Sequence, residues 1–270
     1  MIENKTVLIT GAGSLGRELA KQLVKNNTVL CLDHSEQALF KLELEVPKVR
    51  LVTGDVTKYE DVEATVREVD FVFHTVAKKF VNYIEDNPLS AINTNIEGTA
   101  NVIKACTRSN CVKKMINIST DKSCYASSTY GLTKAITERL MVWASKTSAK
   151  VFATIRLCNF PSDGSVFTTW KEQAEKDQPI TITDKRMTRW CIPIKEATAL
   201  TLKALELAKG GEVFVPAIAK NVKIIDLAKQ YGSNFRFIGK RPGERLHEIL
   251  MTNEEKKKAI LIDDLWRFTL

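Results

Sequence analysis

The chain has 270 residues, a hydrophobic fraction of 44% and a formal net charge of +8. This length can bury the core of one α/β domain with an elaborated C-terminal lobe. The basic residues are dispersed along the sequence, which argues against nucleic-acid binding. The sequence contains no run of eighteen apolar residues, so we expect no membrane-spanning helix. The N-terminus enters a strand after five residues, so we expect no signal peptide and a cytoplasmic protein.

A strand, a glycine turn and a helix open the chain in the order of a dinucleotide-binding fold. Thr6–Thr10 is a β-branched run, the sequence GAGSLG occupies positions 11–16, and a helical pattern follows over residues 17–24. The first glycine would permit a tight turn, the second a close approach to a pyrophosphate, and the third the packing of helix on strand. An ordinary strand-to-helix turn is the alternative.

A second strand over residues 29–32 ends at Asp33, and this acidic residue favours the dinucleotide interpretation. Its carboxylate would accept hydrogen bonds from the adenosine ribose hydroxyls. It would also repel a 2′-phosphate, so the sequence predicts NAD rather than NADP.

Strands and helices go on alternating as far as Arg156, which predicts a doubly wound parallel Rossmann sheet of the α/β class. We predict helices over residues 36–45, 58–68, 88–109 and 130–145, and strands over residues 49–53, 70–74, 114–119 and 151–156. Segment 159–193 contains Gly, Pro and many Thr residues, which suits a smaller substrate-binding lobe of loops and short elements. The predicted division is an NAD-binding domain over residues 1–156 and a lobe over residues 157–270, from which some elements could return to the first domain.

Two pairs of titratable residues follow the predicted fifth strand. Tyr130 and Lys134 lie one helical turn apart, so both side chains would point the same way. Such a lysine lowers the pKa of the tyrosine, and the phenolate can remove a hydroxyl proton while hydride leaves the same carbon for a nicotinamide. This spacing also arises by chance in many helices, so the upstream dinucleotide fold carries the argument. Asp121 and Lys122 offer a second acid/base pair at the carboxyl end of the strand.

The lobe carries arginines that suit a phosphate-bearing substrate. Arg186, Arg189 and Arg241 could provide bidentate donors for a diphosphate, with solvated surface arginines as the alternative. The six cysteines form neither a C-x-x-C pair nor a Cys/His cluster of zinc spacing, so we expect reduced thiols and no metal site.

Four segments together carry a family resemblance: ISTDK at 118–122, YGLTK at 130–134, PITITDKRMTR at 179–189 and RPGERLHE at 241–248. They resemble the inverting UDP-N-acetylglucosamine 4,6-dehydratases, a polysaccharide-biosynthesis branch of the extended short-chain dehydrogenase/reductase superfamily. The resemblance spans nearly the whole chain and implies an NAD-dependent enzyme with a UDP-sugar substrate.

The resemblance implies a role for each residue of the two pairs. Tyr130 with Lys134 would deprotonate the sugar 4-hydroxyl as C4 hydride passes to NAD⁺, with Thr120 holding the 4-oxygen. Lys122 would take the C5 proton, Asp121 would protonate the departing 6-hydroxyl, and hydride would return at C6. Reprotonation of C5 on the opposite face would invert that carbon.

The resemblance also implies binding contacts. Arg189 would contact the diphosphate, while Arg241 and Glu244 would lie near the nucleoside. The complete predicted cofactor set is Gly11, Gly13, Ser14, Leu15, Gly16, Asp33, His34, Asp55, Val56, Ala77, Lys79, Tyr130 and Lys134. The complete predicted substrate set is Asn159, Ser165, Thr181, Arg186, Arg189, Arg241 and Glu244.

The chain departs from the family pattern around the expected sugar pocket. VAKKFVN at 76–82 lacks the family's His and Pro, and RLCNFPSDGS at 156–165 loses a glycine and shortens a loop. These changes leave open an oxidoreductase or 5-epimerase acting on a related UDP-sugar, such as an unsaturated dehydratase product. A third alternative is a non-catalytic NAD(H)-binding regulatory protein, against which the intact acid/base pairs argue. We also expect a homo-oligomer that binds neither nucleic acid nor membrane.

Overall fold

The computed structural model describes residues 2–270, and nine of the thirteen strands in this range form one sheet. In chain order the strands are β1 Thr6–Thr10, β2 Thr28–Asp33, β3 Arg50–Thr53, β4 Phe71–His74, β5 Lys114–Thr120, β6 Val151–Leu157, β7 Ile180–Ile182, β8 Thr188–Cys191, β9 Glu212–Pro216, β10 Lys220–Lys223, β11 Phe235–Phe237, β12 Ile260–Ile262 and β13 Leu265–Thr269. Across the sheet their order is β12-β13-β9-β6-β5-β4-β1-β2-β3. Strands β1 to β6 and β9 are parallel, which confirms the predicted Rossmann sheet.

Eleven α-helices connect the strands of the described range. They are α1 Ser14–Leu23, α2 Glu36–Glu45, α3 Tyr59–Thr65, α4 Val81–Asp86, α5 Pro88–Ala91, α6 Gly98–Arg108, α7 Thr129–Thr147, α8 Val166–Glu175, α9 Ile194–Leu207, α10 Ile224–Ala228 and α11 Asn253–Lys258. Serine side chains cap the beginnings of α2 and α7, where the Oγ atoms of Ser35 and Ser128 accept backbone N–H groups.

The helix predicted over residues 88–109 is interrupted. A π-helical segment, Ile92–Glu97, separates α5 from α6. The side chain of Asn95 in this segment points inward: its Oδ1 accepts the Lys78 N–H at 2.8 Å and its Nδ2 donates to Thr133 Oγ1 at 3.0 Å. A π-bulge turns such a polar side chain toward the interior, and the hydrophobic periodicity does not reveal it.

The sheet buries a hydrophobic core on each face. Alternate residues of a strand belong to different clusters, as Ile9 and Leu8 do, because successive side chains point to opposite faces. Helices α1, α2 and α9 supply one cluster, and α3, α6 and α7 supply the other. The two hydrophobic clusters therefore fix the ends of the strands and helices at the carboxyl edge of the sheet.

The chain beyond residue 157 builds a small lobe and then returns to the sheet. Strand pairs β8–β10 and β7–β11 belong to the lobe, and Trp170 lies at the centre of its buried cluster. Strand β9 pairs with β6, and β13 pairs antiparallel with β9 and β12. None of the helices between residues 2 and 270 has the length and apolarity needed to cross a bilayer.

Candidate active site

A cavity of about 510 Å³ lies at the carboxyl ends of β1, β4, β5 and β6, with the lobe on its other side. Ligands of open α/β sheets bind at this edge. The predicted site residues that line the cavity are Gly13, Ser14, Leu15, Gly16, Ala77, Lys79, Thr120, Lys122, Tyr130, Asn159, Ser165, Thr181, Arg189, Arg241 and Glu244. The predicted site residues outside its lining are Gly11, Asp33, His34, Asp55, Val56, Asp121, Lys134 and Arg186.

The turn after β1 depends on its three glycines in different ways. Gly11 has a φ of +101°, which L side chains rarely adopt. A Cβ on Gly16 would lie 1.9 Å from the Gly11 carbonyl oxygen, so α1 can pack on the turn only without a side chain there. A Cβ on Gly13 would meet nothing within 4 Å. Space is thus open at Gly13, immediately before the N-terminus of α1, where an anion could approach the backbone.

The residues predicted for the adenosine end lie after β2 and β3. Asp33 is fixed beside the glycine turn, because its Oδ2 accepts the Ala12 N–H at 2.7 Å. His34 is exposed, with its Nδ1 3.3 Å from Asp33 Oδ1. Asp55 follows β3 on the same edge of the sheet, and the next residue, Val56, is buried.

Strand β5 ends in a turn that holds an ion pair at the cavity. Asp121 is fully buried, and its Oδ1 accepts hydrogen bonds from Lys122 Nζ at 2.9 Å and Thr120 Oγ1 at 3.0 Å. Its Oδ2 accepts one from Asn159 Nδ2 at 3.3 Å. Burial alone would lower the pKa of Lys122, but Asp121, through its charge and its hydrogen bond, outweighs this effect and the pKa is raised. Lys122 is therefore held as an ammonium beside Asp121.

Tyr130 and Lys134 lie on the first two turns of α7, and Lys134 is only 2% exposed. Burial raises the pKa of Tyr130, the Lys122 ammonium lowers it, Asp121 raises it, and a hydrogen bond with Thr120 lowers it. The ammonium that lowers this pKa is thus that of Lys122, whereas the sequence predicts that effect for Lys134. Burial lowers the pKa of Lys134 itself to about 8.

The lobe brings two of its three predicted arginines to the cavity. Arg189 is buried, and its Nη1 donates to the carbonyl oxygens of Thr188 at 2.8 Å and Leu246 at 3.2 Å. Arg241 lies in a tight turn in which Glu244 Oε2 accepts its N–H at 3.0 Å. These hydrogen bonds fix the side chain of Arg189 and the backbone of the Arg241 turn, and both residues line the cavity.

The third predicted arginine, Arg186, points elsewhere. Its Nη2 and Nε donate to the two carboxylate oxygens of Asp184 at 2.7 and 3.0 Å, and its side chain is 67% exposed. The hydrogen bonds from Arg186 lower the pKa of Asp184. Thr181, by contrast, lines the cavity while its Oγ1 accepts a hydrogen bond from Gln173 Nε2 at 3.0 Å.

The loop between β6 and α8 reaches back to the glycine turn through Asp163. Its Oδ2 accepts from Arg17 Nη2 at 2.6 Å and Lys41 Nζ at 3.0 Å. Its N–H donates to Ser14 Oγ at 2.9 Å, and its carbonyl oxygen accepts from Lys79 Nζ at 3.1 Å. These contacts, which we call the Asp163 clamp, join the loop after β6 to α1 and α2, and two of their partners, Ser14 and Lys79, line the cavity.

A buried charge network supports the β5 turn, and the sequence did not predict it. Glu138 Oε1 accepts from Ser119 Oγ and Ser123 Oγ, each at 2.6 Å, and these serines flank the Asp121–Lys122 pair. Glu138 Oε2 accepts from Arg156 Nη2 at 2.7 Å, and Arg156 also donates twice to Glu255, each time at 3.0 Å. The only signal in the sequence was a charged residue, Arg156, at the end of an apolar strand.

A second residue without a predicted role is Glu248. It lines the cavity and is 5% exposed, and its backbone oxygen accepts from Trp190 Nε1 at 2.9 Å. The buried Oε2 atom has no hydrogen-bond partner among residues 2–270. The only indication of Glu248 in the sequence was its position at the end of the 241–248 motif.

Comparisons with known proteins find similar chains and a similar structure. A family model described as polysaccharide biosynthesis protein matches residues 7–269. An inverting UDP-N-acetylglucosamine 4,6-dehydratase of Campylobacter jejuni is 38% identical over 268 residues, which cover 94% of this chain and 80% of that protein. A UDP-glucose 4-epimerase of Rickettsia bellii is 34% identical over 288 residues, covering 100% and 84%. The structure of Pen from Bacillus thuringiensis superimposes with a TM-score of 0.94 at 33% identity, covering 99% of this chain and 88% of that one.

Proposed function

The chain belongs to the polysaccharide biosynthesis protein family, and we propose that it is an NAD-dependent dehydratase acting on a UDP-N-acetylhexosamine. The reaction would be inverting 4,6-dehydration, which gives a UDP-4-keto-6-deoxy-N-acetylhexosamine. The observation that carries this proposal is the Asp121–Lys122 ion pair beside the cavity that Tyr130 lines. Tyr130 can then act at a sugar hydroxyl, while Asp121 and Lys122 act on the neighbouring carbons.

The residues at the glycine turn fit NAD. The open space at Gly13 admits a pyrophosphate to the N-terminus of α1, and the fixed Asp33 carboxylate suits ribose hydroxyls. When bound, NAD would accept hydride from C4 and return it at C6. We place the cofactor on residues 1–156 and the nucleotide sugar against residues 157–270.

Tyr130 would remove the proton of the 4-hydroxyl. Because its burial disfavours the phenolate, the positive charge of Lys122 is needed to offset that cost. Thr120 would hydrogen-bond to the 4-oxygen, and Lys134 would keep a positive charge beneath the reacting centre at pH 7. The resulting 4-ketone acidifies the C5 proton.

The Asp121–Lys122 pair already holds the protons that the elimination requires. Transfer of one proton along the 2.9 Å hydrogen bond converts ammonium and carboxylate into neutral amine and carboxylic acid. The amine of Lys122 would then take the C5 proton, and the acid of Asp121 would protonate the departing 6-hydroxyl. When water has left, the pair is again ammonium and carboxylate, so this step needs no proton from solvent.

The lobe side of the cavity suits a nucleoside diphosphate. Arg189 would bind the diphosphate, and Arg241 with Glu244 would bind the nucleoside end. Asn159, which already contacts Asp121, and the lining residues Ser165 and Thr181 would contact the sugar or the phosphates. Arg186 could bind the nucleotide sugar only if its ion pair with Asp184 were broken.

A second candidate is an oxidoreductase or 5-epimerase that acts on a related UDP-sugar. The specific observation in its favour is that Phe80 and Cys158, at positions where the chain departs from the dehydratase pattern, both line the cavity. The same oxidation at C4 would serve either reaction, and a similar protein of Rickettsia bellii is named a UDP-glucose 4-epimerase.

Mass spectrometry of the product separates these candidates. We expect the purified protein to convert UDP-N-acetylglucosamine into a product that has lost one water, whereas the second candidate predicts no change in mass with this substrate. Tyr130→Phe should retain bound NAD but lose C4 oxidation, and the exposed neighbour Tyr125 provides the control Tyr125→Phe. Normal turnover by Tyr130→Phe would overturn the assignment of the base.

A further inference from the structure

The proposed reaction lacks one component, which is the proton donor for C5. Lys122 removes the C5 proton from one face of the sugar, so a proton returned by Lys122 would restore the original configuration. Asp121 belongs to the same turn as Lys122, and its proton has already been given to the departing 6-hydroxyl. Inversion therefore requires an acid that approaches the cavity from a different element.

We infer that the side chain of Glu248 is this acid and delivers a proton to C5 on the face opposite Lys122. This inference rests on the proposed function. Glu248 reaches the cavity from the segment that follows the 241–245 turn, whereas Lys122 comes from the end of β5. The Trp190 indole holds its backbone, and the bridge between Thr188 and His247 fixes the preceding residue.

The surroundings of Glu248 suit a carboxylic acid that keeps its proton. Its Oε2 is buried without a partner, an arrangement that disfavours a carboxylate more strongly than a neutral acid. Burial raises its pKa, with Asp121 adding to the effect and the cations of Lys122, Arg189 and Arg245 opposing it. These are the charged groups that face it from β5, β8 and the 241–248 segment.

The step balances in protons and electrons. Hydride adds to C6 of the 5,6-unsaturated ketone, and the electron pair of that double bond becomes an enolate between C5 and the 4-oxygen. The enolate takes the proton from the Glu248 carboxyl, which forms the C5–H bond and leaves a carboxylate. Solvent then reprotonates Glu248 before the next turnover, so the reaction in D₂O places deuterium at C5.

Other protonated groups in the cavity are poorer donors. Tyr130 is occupied with the 4-oxygen, and burial raises the pKa of the Cys191 thiol to about 11 and also that of Cys158. Cys191 nevertheless lines the same part of the cavity, beside Asp121 and Lys122. It is therefore the alternative donor that an experiment must separate from Glu248.

The test is the C5 configuration of the product made by Glu248→Gln, determined by NMR from UDP-N-acetylglucosamine in H₂O and in D₂O. We expect the variant to oxidise C4 and lose water, while at least half of its product changes from the inverted to the retained configuration. Glu248→Asp should return most of the product to the inverted form. Cys191→Ala, which removes the alternative donor, should still give the inverted C5 configuration.

Three outcomes would overturn the inference. Glu248→Gln could give only the inverted product at the wild-type rate, or Cys191→Ala could be the variant that loses inversion. A Glu248→Gln protein that binds NAD but fails to lose water would place Glu248 at an earlier step. If the wild-type protein removes no water, the proposed function fails first, whatever the Glu248 variants do.

Discussion

Replacing Lys134 by methionine should stabilise the protein without NAD while removing its activity. The side chain is 2% exposed, and its pKa falls from an ordinary 10.5 to about 8. The unfolded chain therefore binds this proton more tightly than the folded one. A pKa difference of this size costs the folded state roughly 3 kcal/mol at pH 7. Methionine has a similar shape and carries no charge to bury.

The sign of the pH dependence follows from the two pKa values. The penalty from Lys134 is fully present below pH 8 and disappears as the pH rises to 10.5, where the unfolded chain also loses the proton. We expect Lys134→Met to raise the free energy of unfolding in urea by up to roughly 3 kcal/mol at pH 7 and to have little effect near pH 10.5. The Lys134→Met variant should also lose the oxidation of the sugar at C4.

Lys146, an exposed lysine on the same helix, provides the matched control. Lys146→Met should change the free energy of unfolding by less than about 0.5 kcal/mol at both pH values. The reasoning would be refuted if Lys134→Met were less stable than wild type at pH 7. It would also be refuted if its gain were equal at pH 7 and pH 10.5.

Three other substitutions test the surroundings of the site. Gly13→Ala should fold normally, because its Cβ enters open space, but titration should show weaker NAD binding. Glu138→Gln leaves Arg156 short of a buried partner, and urea unfolding should show a loss of about 3–5 kcal/mol. Asp163→Asn should release bound NAD about tenfold faster in a displacement assay, since one charge-assisted contact is worth roughly 1.5 kcal/mol or more. An unchanged release rate would mean that the clamp does not retain the cofactor.

Local patterns in the sequence were sufficient to predict the Rossmann half of the fold. The glycine turn, the strand that ends at Asp33 and the helix carrying Tyr130 each follow from neighbouring residues whose spacing has a direct physical meaning. The π-helical turn at Asn95 escaped prediction because it depends on contacts with Lys78 and Thr133, which are distant in the chain. Hydrophobic periodicity reports only which face is buried.

Features that depend on tertiary partners could not be predicted in the same way. Arg156 and Glu255 are 99 positions apart, and nothing in either local pattern indicates that they meet. The direction of Arg186 was equally open, because a carboxylate two residues away competes with any ligand for its guanidinium. The source of the charge that lowers the pKa of Tyr130 depended on the fold of the turn at Lys122, not on helical spacing alone.

The Asp163 clamp has a consequence for how the protein would relate to the metabolism around it. In the proposed reaction, the hydride taken from C4 returns to the same sugar, so the cofactor ends each cycle oxidised. If the ion pairs of Asp163 retain NAD, as the Asp163→Asn prediction tests, the cofactor would stay bound from one reaction cycle to the next. Turnover would then be independent of the ratio of NADH to NAD in the surroundings, and the supply of nucleotide sugar alone would set the flux.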